Sequence, residues 1–231
     1  MSLETFVDGD LLSDLPAPER EALMRQLSVS TYPAGYTFYA PDDPGEQVFL
    51  LQSGRVRLYK LSPEGRALIL MVLEPPAIFG EMALADSGRQ DSFAEAMVEC
   101  VVGTLSRDVL RQVLSNHPAL ALRFMAVMSR RLVAIERKLA DIAFKSVPQR
   151  LATVLLNLAA AQGEQPAGAA PTVVRFTHQQ LAEMIGSYRE TVTKAIGEFR
   201  EEGLIRVEED AIHLTDIDRL RQLVGSQARS L

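Results

Sequence analysis

A short stretch after a glycine carries the residue types that read the edges of DNA bases. The sequence IGSYRETVTKAIGEF, residues 185–199, places Arg189 beside Glu190, with Lys194 five residues after Arg189. Arginine can donate two hydrogen bonds to guanine, glutamate can accept from cytosine, and lysine can reach a second guanine or a phosphate. Two simpler interpretations stay open here: Glu190 only caps its helix, or Arg189 forms a surface ion pair with Glu183 or Glu190.

The residues around this cluster predict a helix-turn-helix. Thr177 and Gln180 have the spacing of a capping box, which predicts a helix that ends near residue 185. Gly186 permits a tight turn, and Ser187 with Glu190 repeats the capping-box spacing, which predicts the second helix there. The sequence GLIRVEEDAIHL, residues 203–214, predicts a two-stranded wing. In this geometry the start of the second helix enters the major groove. The predicted buried face of that helix comprises Val192, Ile196 and Phe199.

Two segments with different sequence patterns precede this unit. Residues 31 to about 105 are short apolar or alternating runs between glycine turns, which predicts an all-β barrel or sandwich. Residues 116–144 then contain no glycine and one proline, Pro118, acceptable in a first turn, which predicts a long helix. Its apolar residues recur at alternating spacings of 4 and 3, which favours a two-stranded dimer helix. These residues are Ala121, Met125, Met128, Leu132, Ile135, Leu139 and Ile142.

A second apolar stripe lies beside the first half of this helix. It comprises Leu120, Phe124 and Val127, and it can pack on the β-rich domain while the heptad stripe meets a partner helix. The alternative is that both stripes belong to the core of one chain.

Composition excludes several classes of protein. The 231-residue chain has a net charge of −6, so any phosphate-binding surface must be a local patch. The single cysteine, Cys100, excludes a disulfide framework and a four-cysteine cluster from this chain, and it fits a reducing cytoplasm. The N-terminus has no apolar signal region and the longest apolar run, residues 67–73, is too short to span a bilayer, so we expect a cytoplasmic protein without membrane contact.

No enzyme motif stands out. A metal-dependent β-barrel enzyme needs clustered histidines, yet the three histidines are His117, His178 and His213. The sequence also lacks a nucleophile elbow, a P-loop or a paired-carboxylate motif. We therefore expect no catalytic activity, no metal and no cofactor.

Several stretches together resemble the Crp–Fnr family of bacterial transcription regulators. They are GRVRLYK, IFGEMAL, MSRRL, IAF, RLATVLLNLA and, above all, IGSYRETVTKAI. The resemblance implies an α+β fold with a double-stranded β-roll of the cyclic-nucleotide-binding type over residues 1–115, a dimerisation helix over 116–144 and a winged helix-turn-helix over 145–231. It also implies a homodimeric regulator, more often an activator, that binds double-stranded DNA at a palindromic TGTGA-like operator and contacts RNA polymerase.

The resemblance also assigns roles at the DNA interface. The family's base-reading positions fall on Arg189, Glu190 and Lys194. Its phosphate-contacting positions fall on Gln179, Tyr188 and Thr191, with His178 as a further candidate, and Tyr188 replaces a residue that is commonly small. The heptad spacing, rather than the resemblance, assigns the dimer interface to Met125, Met128, Leu132, Ile135, Leu139 and Ile142.

The nucleotide-binding stretch of the family falls on residues 80–92, but its chemistry is changed. The arginine that would neutralise the nucleotide phosphate is replaced by Asp91, whose carboxylate repels a phosphate, and Arg89 lies two residues too early. Apolar Ile135 and acidic Glu136 stand where a polar pair on the dimer helix would hold adenine. The predicted effector pocket comprises Gly80, Glu81, Arg89, Asp91, Ser92, Ile135 and Glu136.

We therefore predict DNA binding that does not depend on cyclic AMP. Three alternatives stay open: a different small-molecule effector, a redox or haem effector through His117 or Cys100, or a cyclic-nucleotide-dependent regulator.

Overall fold

The structure is a computed structural model that describes residues 5–6, 16–85, 88–161, 172–174, 176–208 and 211–225. The chain divides into two compact units. The first unit draws on Phe6–Lys60 and Leu70–Ala134, and the second on Met1–Thr5, Leu61–Ile69 and Ile135–Leu231. The predicted boundaries of the three domains remain predictions.

The β-rich part of the chain follows the predicted order of strands and turns. Glycine turns at Ser53–Gly54 and around Gly65 separate the strands, as the sequence pattern indicates. Apolar residues at helical spacings over 9–28 indicate a helix before the strands, and the structure has one over the second half of that range; residues 9–15 lie outside the described residues. The elements are β1 (Thr5–Phe6), α1 (Ala17–Gln26), β2 (Ser28–Tyr32), β3 (Thr37–Tyr39), β4 (Gln47–Ser53), β5 (Val56–Leu61), β6 (Ala67–Leu73), β7 (Ala77–Phe79), a 3-10 turn (Glu81–Leu84), β8 (Phe93–Ala96), β9 (Cys100–Ser106) and α2 (Arg107–Asn116).

These strands form two sheets, as a β-roll requires. One sheet has the order β1-β6-β5-β8-β3 and the other β2-β9-β4-β7. Val56 and Leu58 of β5 are buried, as their alternation with charged residues predicts. A core cluster of the first unit joins strands to α1, α2 and the start of the next helix; it comprises Leu23, Val48, Ile78, Ala83, Leu105, Leu110 and Leu120.

The long helix α3 spans Pro118–Phe144 and divides its apolar residues between two faces. Leu120 and Val127 are buried and Phe124 packs against the core cluster, so the second stripe lies on the β-roll as predicted. Of the heptad stripe, Met128 packs partly against the same cluster. Alternate members of that stripe, seven residues apart in the sequence, are exposed instead: Met125, Leu132 and Leu139.

The second unit contains the helices α4 to α7 and a small sheet, which confirms the predicted winged helix-turn-helix. Its sheet has the order β10-β12-β11, and residues 209–210 at the predicted wing tip lie outside the described residues. Its elements are α4 (Val147–Ala161), β10 (Thr172–Val174), α5 (His178–Ile185), α6 (Arg189–Glu201), β11 (Ile205–Val207), β12 (Ala211–Leu214) and α7 (Ile217–Gly225). Across the described parts of the chain, no helix combines the length and hydropathy needed to span a bilayer.

Candidate DNA interface and effector pocket

Helix α5 begins at a capping box and ends at a glycine that starts the turn to α6. Thr177 and Gln180 form the predicted capping box, with the Gln180 amide 3.1 Å from the Thr177 hydroxyl and the Thr177 amide 2.9 Å from the Gln180 side-chain carbonyl. Gly186 follows α5 with a φ of 64°, a left-handed conformation that favours glycine. Phe199 and the other predicted apolar residues of α6 are buried, so the helix presents its polar side outward.

The start of α6 corrects one prediction. The helix begins at Arg189, with Tyr188 at the N-cap position and no side-chain capping hydrogen bond, so the predicted Ser187–Glu190 capping box is wrong. The reason is the left-handed turn at Gly186, which delays helical backbone geometry and leaves Ser187 one residue too early to cap.

The predicted base-reading residues lie together on the exposed first turns of α6. Among the described residues, Arg189 has no side-chain partner within hydrogen-bond or ion-pair distance, and neither Glu183 nor Glu190 pairs with it. Glu190 and Thr191 are likewise exposed. Lys194 lies 3.8 Å from Glu198, an exposed pair of the kind that contributes little to stability. The side chains in these positions are accessible for recognition.

A hydrogen-bonded relay connects His178 to the start of α6. The Thr193 hydroxyl donates to the Arg189 carbonyl at 2.9 Å, so its only hydrogen is used there. The His178 Nδ1 atom lies 3.0 Å from the same hydroxyl oxygen, and it must therefore donate its own hydrogen. One ring nitrogen of His178 is thereby engaged with the start of α6.

Two other predicted phosphate contacts are engaged within the second unit. The Gln179 amide nitrogen donates to the buried Glu183 carboxylate at 2.9 Å. The exposed Tyr188 ring lies under the Arg66 guanidinium, 4.8 Å from the ring centroid to the guanidinium carbon. Arg66 belongs to the turn between β5 and β6, so a residue distant in sequence brings a positive charge to the helix-turn-helix.

The wing carries its own polar cluster. The two imidazole nitrogens of His213 lie 2.9 Å from the Thr172 hydroxyl and 3.1 Å from the Glu208 carboxylate. Arg206 also approaches Glu208, at 3.1 Å. The contacts join all three strands of the wing sheet at their polar edge.

In the first unit, the predicted effector pocket is organised around a buried ion pair. Gly80 adopts a left-handed conformation that starts the 3-10 turn, and Glu81 follows it. The Glu81 carboxylate accepts from the buried Arg131 guanidinium at 3.1 Å, and Arg131 also donates to the Ile78 carbonyl. Arg131 lies in the MSRRL stretch, but the apolar periodicity of α3 did not predict that the Arg131 side chain would be buried against Glu81.

The remaining pocket residues of the first unit are also engaged. Asp91 is exposed and lies 3.4 Å from Lys60, and Ser92 is buried. Arg89 donates to the Asp42 carbonyl at 2.6 Å, in the turn after β3. The structure thus gives Arg89 a partner outside the stretch that contains Gly80, Glu81, Asp91 and Ser92. Ile135 and Glu136 lie on α3 in the second unit, half-buried and exposed respectively.

Two residues weighed as redox or haem ligands have local partners. Cys100 is fully buried and lies 3.2 and 3.3 Å from the Val98 and Arg55 carbonyls, and burial raises the pKa of its thiol. The His117 Nε2 atom lies 2.8 Å from Glu19. Within the described residues, no group of three His, Cys, Asp or Glu side chains is arranged to hold a metal ion.

Fold and site together define a winged helix-turn-helix transcription regulator with a β-roll of the cyclic-nucleotide-binding type. Comparison with known proteins agrees: residues 149–223 match the Crp-like helix-turn-helix domain and residues 29–117 match the cyclic nucleotide-binding domain. The chain belongs to the CRP/FNR family of transcription regulators, and it is not an enzyme, as predicted.

Relatives match over most of their length. The CRP-like cAMP-activated global transcriptional regulator of Mycobacterium tuberculosis is 34% identical over 199 residues, covering 86% of this chain and 89% of the relative. The global nitrogen regulator of Synechocystis is 30% identical over 210 residues, covering 87% and 92%. A CRP-family regulator from Thermus thermophilus has a solved structure with a TM-score of 0.72 at 26% identity, covering 87% of this chain and all of that one.

Proposed function

We propose that this CRP/FNR-family regulator acts in the cytoplasm as a homodimer that binds a palindromic operator without requiring cyclic AMP, and that it activates transcription through contact with RNA polymerase. The proposal that cyclic AMP is not required rests on Asp91. A carboxylate stands where the family resemblance places the phosphate-neutralising arginine, and its neighbour Lys60 already pairs with it.

The dimer part of the proposal is supported by the exposed seam on α3. Met125, Leu132 and Leu139 follow a strict seven-residue spacing, and each exposes more than half of its side chain. A helix face of this kind is stabilised when it packs against a second copy, because the heptad keeps one seam facing the partner.

The DNA part is supported by the free polar residues at the start of α6. We assign Arg189 and Glu190 to base edges, Lys194 to a base or phosphate, and Tyr188 and Thr191 to phosphates. Gln179 contacts a phosphate in this proposal only after its amide exchanges Glu183 for the phosphate, and His178 contacts one through the ring nitrogen that does not face Thr193. A two-fold dimer places half-sites one helical turn apart, roughly 10–11 base pairs centre to centre, and we expect a TGTGA-like half-site.

Electrostatics sets the scale of the effector prediction. A lost charge-assisted hydrogen bond to a phosphate is worth about 1.5–3 kcal/mol, so nucleotide affinity falls by about one to two powers of ten, and an opposing carboxylate adds to that loss. The DNA-binding conformation must then be populated in the free dimer, because a ligand shifts a population only through differential affinity.

Cyclic-AMP activation is the second candidate. It is favoured by the name of the Mycobacterium relative and by the retention of Gly80, Glu81 and Ser92 at their family positions. The two candidates differ in whether the nucleotide-free protein binds its operator.

The deciding experiment first selects bound DNA from a random pool with nucleotide-free protein, then measures operator affinity by fluorescence anisotropy with and without millimolar cyclic AMP. We expect unchanged affinity. A large gain with nucleotide would refute effector independence.

A second arm compares Asp91→Arg with Glu99→Arg, which makes the same charge change at an exposed position on the turn between β8 and β9. If pocket charge is the main defect, only Asp91→Arg gains nucleotide binding in calorimetry. If it gains none, the charge at position 91 is not the main obstacle to nucleotide binding.

A further inference from the structure

We propose that the phenol of Tyr39 is a built-in occupant of the effector pocket, held beside Gly80 and Glu81 where a small-molecule effector would otherwise support them. The inference rests on the proposed effector-independent function and supplies its physical cause. Tyr39 is the last residue of β3, and it was not among the residues that the sequence assigned to the pocket.

Tyr39 is placed inside the β-roll. Its side chain is only 7% exposed, and its ring centroid lies 6.0 Å from that of Phe49 and 6.3 Å from that of Phe79. Phe49 and Phe79 stack at 4.9 Å, and a Cβ at Gly80 would lie 3.0 Å from Phe49. The aromatic rings therefore close against the glycine that starts the pocket.

The phenol lies beside the pocket backbone, since Tyr39 and Gly80 both lie against the Phe49 ring and the Gly80 backbone, Glu81 and Arg131 all act on the phenol oxygen. Gly80 precedes the 3-10 turn that carries Glu81, so this contact holds the residue from which the turn begins. A ligand hydroxyl or phosphate oxygen would need the same backbone donor. Tyr39 and an effector compete for it.

The charges around the phenol favour a neutral occupant. Burial, followed by the Glu81 carboxylate, raises the pKa of Tyr39 far above its usual value, with Arg131 acting in the opposite direction and Asp91 adding to the increase. The phenol therefore stays protonated at any physiological pH. It supplies polar contacts without the negative charge that Glu81 and Asp91 would repel.

The groups around the phenol contact one another and helix α3. Glu81 pairs with Arg131, which is 5% exposed and lies on α3. The phenol thus supports Gly80, Gly80 starts the turn of Glu81, and Glu81 engages the helix that carries the exposed heptad seam. Through this chain of contacts, the occupant stabilises the arrangement that an effector would otherwise induce.

The test uses the full chain and refills the site with a small molecule. Tyr39→Ala removes the hydroxyphenyl group, and 4-methylphenol supplies that group again with one further methyl carbon. The matched control is Tyr59→Ala, because Tyr59 is equally buried at 8% but stacks on Phe93 and donates to Glu95 rather than meeting Gly80. Folding is checked by circular dichroism and thermal melting.

We expect Tyr39→Ala to remain folded and to bind the operator about tenfold more weakly, as when the competent fraction of the protein falls to about one tenth. Added 4-methylphenol restores the affinity of this variant, and toluene, which lacks the hydroxyl, restores less. The operator affinity of Tyr59→Ala does not respond to 4-methylphenol.

Each contrary outcome has a defined meaning. A folded Tyr39→Ala with wild-type operator affinity overturns the inference, and so does equal rescue of Tyr59→Ala by 4-methylphenol. If Tyr39→Ala does not fold, Tyr39→Phe decides, because it keeps the ring and loses only the contact to Gly80: weaker operator binding supports the inference, and unchanged binding overturns it. If the wild-type protein itself requires cyclic AMP, the proposed function fails instead.

Discussion

Introducing charge into the exposed seam of α3 tests the homodimer most directly. The variant replaces Leu132 and Leu139 together with aspartate. These side chains are 60% and 66% exposed in the single chain, so a partner helix could bury most of their apolar surface. Both face solvent in the protomer, and we therefore expect the double variant to keep its fold.

The magnitude follows from the exposed fractions. Full burial of a leucine is worth about 1.5–3 kcal/mol, so burying the exposed part of each is worth about 1–2 kcal/mol. Each position occurs once in each protomer of a two-fold dimer, so the four leucines together contribute about 4–8 kcal/mol to dimer stability. Losing that contribution weakens dimer association by about three to six powers of ten, before the cost of burying a carboxylate is added.

Light scattering and sedimentation equilibrium at micromolar concentration measure the result. The wild-type protein should have twice the 25.4 kDa chain mass and the variant a single chain mass, with loss of operator binding. Ala140→Asp places the same charge at an exposed position one residue after Leu139 and outside the heptad stripe, and it should stay dimeric. A double variant with unchanged mass would show that the seam does not hold the dimer.

Three further outcomes are expected. Arg189→Ala should cost about 1–3 kcal/mol of operator affinity and relax the choice of one guanine; equal weakening on all sequences would make Arg189 a phosphate anchor. Thr177→Ala should lower the free energy of unfolding by about 0.5–2 kcal/mol in denaturant titration, because it removes the cap of α5, while exposed Thr191→Ala should change it little. Because burial raises the thiol pKa, Cys100 should stay protonated and resist alkylation at pH 8 until the protein unfolds, and rapid labelling of the native protein would contradict this.

Local sequence signals predicted the parts of the fold that depend on neighbouring residues. The capping box at Thr177 and Gln180, the turn at Gly186 and the stripe of α3 that packs on the β-roll are all set by spacings of a few residues, and the structure confirms them. The role of the heptad stripe as a dimer seam stays a prediction. The failure at Ser187 is also local. A capping-box spacing specifies a hydrogen-bond pattern but not the backbone angles of the preceding turn, and a left-handed glycine moved the start of α6.

The contacts that the sequence did not predict join residues far apart in the chain. Arg131 and Glu81 are separated by 50 residues, and Lys60 and Asp91 by 31. Tyr39 reaches Gly80 across the β-roll, and Arg66 reaches Tyr188 from the turn after β5. No periodicity links such partners, because each pairing depends on how sheets and helices pack. The DNA-reading residues were predictable from one helix, whereas the effector pocket required the tertiary structure.

The buried pair of Glu81 and Arg131 constrains how this sequence can change over evolutionary time. Replacing Glu81 alone leaves the buried Arg131 charge without its carboxylate partner, at a cost of about 3–5 kcal/mol, so such a substitution is selected against whatever the pocket binds. Only a coordinated change of both residues avoids that destabilised intermediate. The requirement for a stable fold therefore preserves Glu81 even in a lineage that binds no nucleotide. The presence of Glu81 in a descendant is then evidence for the stability of the β-roll and not for retained ligand binding.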